Sequence, residues 1–270
     1  MFFLKLFLSW ILPDRAKIIH NPYSTTGGAK KSPVDKRDLI ASAEQGGIFP
    51  TRYTLPVGIE ENQGLLNSCV AHMVTGCLED YTRAVGWKRV FELSRMHCWN
   101  KGRQLTWGDD WTPNRGIFIR DGWKAAQTGI TLEKLFPYQL ININKEIHPS
   151  FIFAWYPSFK YYFIKYLTKD RKEEAIKQVL EWKETSVGFG IKIGSSFINA
   201  SGLIVYEPPE DEIPRFNHAM RIIGWDDDKD AFKIKNSWGS HWGTNDCLWV
   251  KKDWLLSNAY DLSYPDKEDG

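Results

Sequence analysis

Cysteine is scarce in this chain, with four in 270 residues. Cys69, Cys77, Cys98 and Cys247 form no CxxC pair and no short Cys/His cluster, which argues against a structural zinc site. So few cysteines are not a disulfide scaffold, and a reducing compartment fits their usage, although the even count leaves a bridge open. Charge of one sign is also lacking: 35 Lys plus Arg stand against 33 Asp plus Glu, so nothing points to nucleic acid or to a strongly acidic partner. Long hydrophobic runs are absent as well. The apolar start, MFFLKLFLSWILP, ends at Pro13, short of the about 20 apolar residues a membrane-spanning helix needs. It has no clear small-x-small cleavage site. Three readings of residues 1–13 stay open: a segment docked on the core or a partner, a weak signal peptide, or an interfacial helix in contact with a membrane surface. No residue set calls for a metal or a cofactor.

What is present is globular. Apolar residues make up 43% and charged residues 25%, enough to bury a sizeable core in one large domain or in two smaller ones sharing a cleft. Residues 14–34 read as a linker, because NPYSTTGGAKKSP has little to bury. QGGIFPTRYTLPVG, residues 45–58, reads as extended chain broken by Gly and Pro. The period then changes. Val70, Met73, Val74, Cys77, Leu78 and Tyr81 recur at helical spacing, with Ser68 in the N-cap position. A second helix is expected over Ile119–Gln127, closed by Gly129. A third is expected over residues 170–183, with Asp170 as cap and Ala175, Ile176, Val179 and Leu180 as its buried stripe. The aromatic run 151–168, with Lys160 and Lys165 inside it, reads as a buried connecting segment with snorkelling lysines rather than a membrane or base-stacking strip. From Ser186 onward, VGFGIKI, AMRIIGW, AFKIKNSW and CLWVKK are short strands split by turns such as DDDKD. A mainly helical first half and a mainly β second half suggest two lobes with a cleft between them.

Cys69 opens the first helix. A helix N-terminus offers unpaired amides and the positive end of the dipole, and both favour a thiolate. A thiol nucleophile also needs a base, and His218, at the start of an apolar strand, is the candidate among the histidines. Asn236, in KNSWGSHWG, is suited to orient an imidazole.

NQGLLNSC, NHAMRIIGWD and KNSWGSHWG together resemble the three catalytic boxes of papain-like cysteine peptidases. PVDKRD and GIFIRDGWKAA resemble the compact microbial and viral branch without a long propeptide. The resemblance runs from about Pro33 to about Leu256. It implies an α+β fold of two lobes, helical on the left and an antiparallel β-barrel-like sheet on the right, with the active site in the cleft. The implied organisation is an apolar segment and linker over 1–34, a catalytic domain over 35–258 and a polar tail over 259–270. Within the domain, the helical lobe spans about 59–150 and the β lobe about 151–258. The implied activity is hydrolysis of peptide bonds through a thioester acyl-enzyme, with peptide or protein as substrate. By resemblance Cys69 is the nucleophile, His218 its partner, Asn236 the orienting residue and Gln63 an oxyanion donor. Asn67, Ser68, Gly116, Asn217 and Trp238 would line the substrate site, Trp238 also shielding the His218–Asn236 bond.

The sequence departs from the family pattern at several positions. Val70 replaces the usual Trp after the nucleophile. Asn67 replaces a Gly that lies near substrate, and Asn is the non-Gly residue that best tolerates positive φ. Leu66 stands where secreted members carry a bridging cysteine, which favours a reducing intracellular setting; secretion or membrane association stays open, and the Asn199-Ala200-Ser201 sequon matters only there. Two alternatives to the peptidase are a catalytically weak binding protein on the same fold and a thiol acyltransferase or transpeptidase.

Overall fold

The computed structural model describes residues 28–41, 46–56, 58, 60–152, 156–201 and 205–267. The apolar segment 1–13, the first part of the expected linker and residues 268–270 lie outside them. Strand β1, Ala29–Lys30, is followed by β2, Arg52–Thr54, and then by helix α1, Cys69–Ala84. The six apolar positions that announced α1 are all buried, but so are Glu79, Asp80 and Thr82. The helix is therefore central rather than amphipathic. Its polar face is satisfied by charges: Arg95 Nη1 lies 2.7 Å from Glu79, and Arg221 contacts Asp80 at 3.5 Å. Ser68 holds the N-cap position without a side-chain cap bond, because its hydroxyl meets the Tyr138 hydroxyl instead.

Helix α2, Arg95–Trp107, had no periodic signal, since its buried face mixes Arg95, His97, Asn100 and Arg103 with Met96, Cys98 and Trp99. Its start is nevertheless encoded: Ser94 Oγ accepts from the His97 N–H at 3.0 Å. Strand β3, Ile117–Phe118, leads straight into α3, Ile119–Gln127. Gly129 closes α3 as expected, with φ +91° and its N–H on the Ala126 carbonyl at 2.9 Å.

Strand β4, Lys160–Phe163, comes from the aromatic run. Tyr156, Phe159, Phe163 and Ile164 are buried there, and Lys165 reaches Asp38 at 3.0 Å while lying 3.7 Å over the Phe163 ring. Helix α4, Lys169–Trp182, begins earlier than expected: its cap is Thr168, and Asp170 belongs to the first turn. Ala175, Ile176, Val179 and Leu180 form the buried stripe. Strands β5, Val187–Ile193, β6, Phe216–Asp226, β7, Ala231–Lys235, and β8, Cys247–Lys251, follow. Helix α5, Lys252–Asn258, and strand β9, Tyr260–Asp266, complete the described chain.

The main sheet has seven strands, ordered β4-β9-β5-β6-β7-β8, with β2 paired to β6. Two expectations are corrected here. Residues 260–266 are not tail but an interior strand between β4 and β5, because Leu262 and Tyr264 face the core and Ser263 Oγ accepts from Trp123 Nε1 across the lobes at 2.9 Å. Residues 28–34 are not free linker either: Ala29 pairs with Ile117, and Lys30 with Phe118, in parallel.

The interior falls into two apolar clusters, one beneath the sheet around Phe189, Ile222, Trp225, Phe232 and Trp242, the other around α1, α2 and α3. Between them, α1 lies against β6. Gly76 makes that approach possible, since a Cβ there would fall 1.7 Å from Arg221 Nη1. Gly76→Val should therefore displace a buried guanidinium from Glu61 and Asp80, at a cost of about 3 kcal/mol or more. Urea denaturation is the measurement, and an unchanged midpoint contradicts it.

Candidate active site

Cys69 is the first residue of α1 and is fully buried. His218 lies on β6 and Asn236 directly follows β7. The antiparallel pairing of Arg221 with Lys235 brings the two side chains together. His218 Nε2 lies 2.7 Å from Asn236 Oδ1, which also accepts the Ser237 N–H at 2.8 Å. The two lobes meet beside the thiol: Cys69 and Ala219, the residue after His218, belong to one buried apolar cluster. Trp238 stacks on the His218 ring at 4.5 Å.

Gln63 is buried, with Nε2 donating to the Leu66 carbonyl at 2.8 Å and Oε1 accepting from Ser237 Oγ at 2.7 Å. Asn67 does not use positive φ. Its backbone N–H donates to Asn114 Oδ1, and its side-chain amide to the Asn114 carbonyl, both at 2.9 Å. The loop thus keeps its shape by reciprocal side-chain bonding. Asn217 lies on β6, its Oδ1 3.4 Å from the Tyr260 hydroxyl. The four cysteines are free and buried. Among the described residues no group of three or more His, Cys, Asp or Glu could hold a metal, and no helix is long and apolar enough to cross a membrane.

Sequence reading missed Gly28. A Cβ on Gly28 would fall 2.7 Å from Cys69 Sγ and 3.1 Å from the Asn67 carbonyl, and a Cβ on Gly116 would fall 2.4 Å from the Gly28 carbonyl oxygen. The Gly28 backbone therefore lies directly over the thiol and against Gly116, and its carbonyl accepts the Ile117 N–H at 3.2 Å. Beyond it, Ala29 is buried among the helical-lobe core, and Lys30 Nζ lies 4.0 Å over the Trp107 ring. Ser32 accepts the Arg120 N–H at 3.1 Å and donates its own N–H to Asp261. This strap covers the cleft. The sequence signal was Gly27-Gly28, which also suits a linker. Tyr138 was missed as well; its hydroxyl donates to the Gln63 carbonyl at 3.0 Å.

Under the strap, burial decides the protonation states. It pushes the Cys69 thiol up to about 12, although the N–H groups of Ala219, Val70 and Cys69 pull the other way. It pushes His218 down to about 4 against the Asn236 hydrogen bond, with His72 adding to the fall. Desolvation outweighs the N–H groups at the helix terminus, so burial in this covered state favours the neutral thiol and the neutral imidazole.

A thiol at a helix start in one lobe and an imidazole–carboxamide pair on the sheet of the other define a two-lobed α+β protein. Residues 52–259 match the model of the papain family of cysteine proteases, and the chain belongs to that family. Its structure is similar to xylellain, a cysteine protease from Xylella fastidiosa, with a TM-score of 0.75 at 20% identity over 90% of this chain and 97% of that one. It is also similar to digestive procathepsin L 3 of Tenebrio molitor larval midgut, with a TM-score of 0.67 at 18% identity over 90% and 77%. In sequence it is 28% identical over 220 residues to gamete and mating-type specific protein A of Dictyostelium discoideum, covering 80% of this chain but only 45% of that protein. An uncharacterized peptidase C1-like protein of Acanthamoeba polyphaga mimivirus is also 28% identical, over 81% of this chain and 78% of its own length.

Proposed function

We propose that this chain is a cysteine-type endopeptidase that hydrolyses peptide bonds through Cys69, His218 and Asn236. The observation that carries the reading is the 2.7 Å His218–Asn236 contact, together with Cys69 at the start of α1 in one buried cluster with Ala219, the neighbour of His218. With Nε2–H donated to Asn236 Oδ1, neutral His218 keeps Nδ1 as its basic nitrogen. Nδ1 takes the Cys69 proton, and the sulfur attacks the scissile carbonyl. The carbonyl oxygen gains the negative charge and is stabilised by the Cys69 backbone N–H and the second N–H of Gln63 Nε2, a donor of this kind lowering the barrier by about 3 kcal/mol. When the tetrahedral species collapses, the C–N bond breaks and the imidazolium protonates the leaving amine. A water, deprotonated by His218, then attacks the thioester; the C–S bond breaks and the thiol regains its proton.

None of this proceeds while Gly28 lies on the thiol, so the strap must leave before a substrate enters. A strap-filled cleft and a neutral thiol are also what a binding protein without chemistry would show. The discriminating experiment is a digest of proteome-derived peptides by the full chain, by a Gly28→Leu variant and by Cys69→Ala. Cleavage products that depend on Cys69 in either of the first two establish the peptidase. Their absence from both defeats it in favour of the binding protein. Products joined to an added amine would instead indicate acyl transfer.

A further inference from the structure

Beside Asn236 lies a small cavity of about 10 Å³, close to what one water molecule occupies. Its lining includes Glu61, His72, Arg221 and Asn236. Three buried nitrogens of these residues have no hydrogen-bond partner among the described residues: His72 Nε2, Asn236 Nδ2 and Arg221 Nη1. Their chemistry is complementary. His72 Nδ1 lies 3.2 Å from Glu61 Oε2. Burial pushes the Glu61 carboxyl up, but Arg221, at 3.0 Å, and Arg95, at 3.7 Å, outweigh it and hold the group down at about 2. Glu61 is thus an acceptor only, and His72 must place its proton on Nδ1. Burial also lowers the His72 pKa, so the ring is neutral and Nε2 is left as an acceptor. Asn236 Nδ2 is a donor, whereas Arg221 Nη1 faces Asp80 at 3.5 Å. An acceptor on His72 and a donor on Asn236 beside a one-water space are what a water molecule satisfies, donating to His72 Nε2 and accepting from Asn236 Nδ2.

We propose that a buried water in this cavity joins His72 to Asn236, and that Glu61 and His72 are positioning residues which fix the orientation of the Asn236 carboxamide. The argument for need is simple. A carboxamide can turn over, exchanging its oxygen and nitrogen. Only with Oδ1 toward His218 does it stabilise the Nε2–H tautomer and leave Nδ1 basic. Oδ1 is already held by His218 and Ser237; Nδ2 is the end that requires an anchor. Glu61 sets the His72 tautomer, His72 orients the water, and the water holds Nδ2. The functional part of this inference rests on the peptidase reading above, whereas the tautomer part does not.

The test separates them. Long-range 15N–1H spectra of the full chain, labelled at histidine, read each tautomer directly. Wild type should show His72 protonated at Nδ1 and His218 at Nε2 alone. His72→Phe should give His218 a mixture of tautomers, and His72→Gln, which restores an acceptor, should recover the single form. In peptide hydrolysis, kcat of His72→Phe should fall about tenfold with KM unchanged, the effect of one lost supporting hydrogen bond, and His72→Gln should recover most of it. A high-resolution crystal structure of wild type should place a water within hydrogen-bonding distance of His72 Nε2 and Asn236 Nδ2. A dry cavity, a His72 protonated at Nε2, or an unchanged single tautomer in folded His72→Phe overturns the proposal. The wild-type measurements decide it even where a variant does not fold. Spectra as expected without any cleavage leave the tautomer relay standing and remove only the peptidase reading.

Discussion

Gly28→Leu, or deletion of residues 1–33, should raise the rate at which iodoacetamide alkylates Cys69 at neutral pH by about 1000-fold over the full chain. The expectation has two independent sources. The first is steric: a side chain at position 28 begins with a Cβ 2.7 Å from the sulfur, closer than two non-bonded atoms sit, so the strap must lift. The second is electrostatic. With the strap in place burial raises the thiol from 9.0 to about 12, and readmitted water reverses that shift. Because the folded value is raised, thiolate is scarce at every pH below about 12 in the covered form. The rate–pH profile of the covered form should therefore rise only toward strongly alkaline pH, and that of the uncovered form should rise earlier. Intact-mass measurement of alkylation across a pH series reads both. Equal rates in the two forms would show that the strap does not control the thiol.

In the same uncovered background, His218→Ala should lower the rate of peptide cleavage by about 1000-fold or more, and Cys69→Ala should abolish it. The double variant should be no worse than the more damaging single one, since the two groups act in one proton transfer and their losses do not add. The folded state should survive, because Cys69→Ala removes only one sulfur from the helical-lobe core, while His218 is held by Asn236 and Trp238 and the sheet is closed by β5, β6 and β7. Single-turnover kinetics with thermal melting on the same samples checks both halves. A His218→Ala enzyme that acylates at the wild-type rate would remove the imidazole from the mechanism.

Physical chemistry explains which features could be read without coordinates. The period of Val70, Met73, Val74, Cys77, Leu78 and Tyr81 was legible because packing against another element imposes a repeat on the chain. The strands were legible because each side chain alternates in or out of a sheet. Polar interior surfaces carry no such repeat. That is why α2 went unread, although Ser94 caps it, and why the period of α1 does not reveal that its polar side is also buried, where Arg95 and Arg221 neutralise it. Strand β9 was hidden for a related reason: Asp261 and Asp266 suggest a tail until Lys165 and Lys183 are found beside them.

The sequence by itself, through the resemblance of its three boxes, pointed to the family and the α+β class and singled out Cys69, His218, Asn236 and Gln63 as candidates, because short motifs and their order are properties of the chain. Tertiary structure alone decided that Gly28 lies on the thiol, that the covered Cys69 and His218 are neutral, and that Glu61 and His72 sit behind Asn236. Those outcomes depend on which atoms exclude water from which others. Exclusion of water is a relation between segments far apart in sequence, and it leaves no periodic trace along either of them.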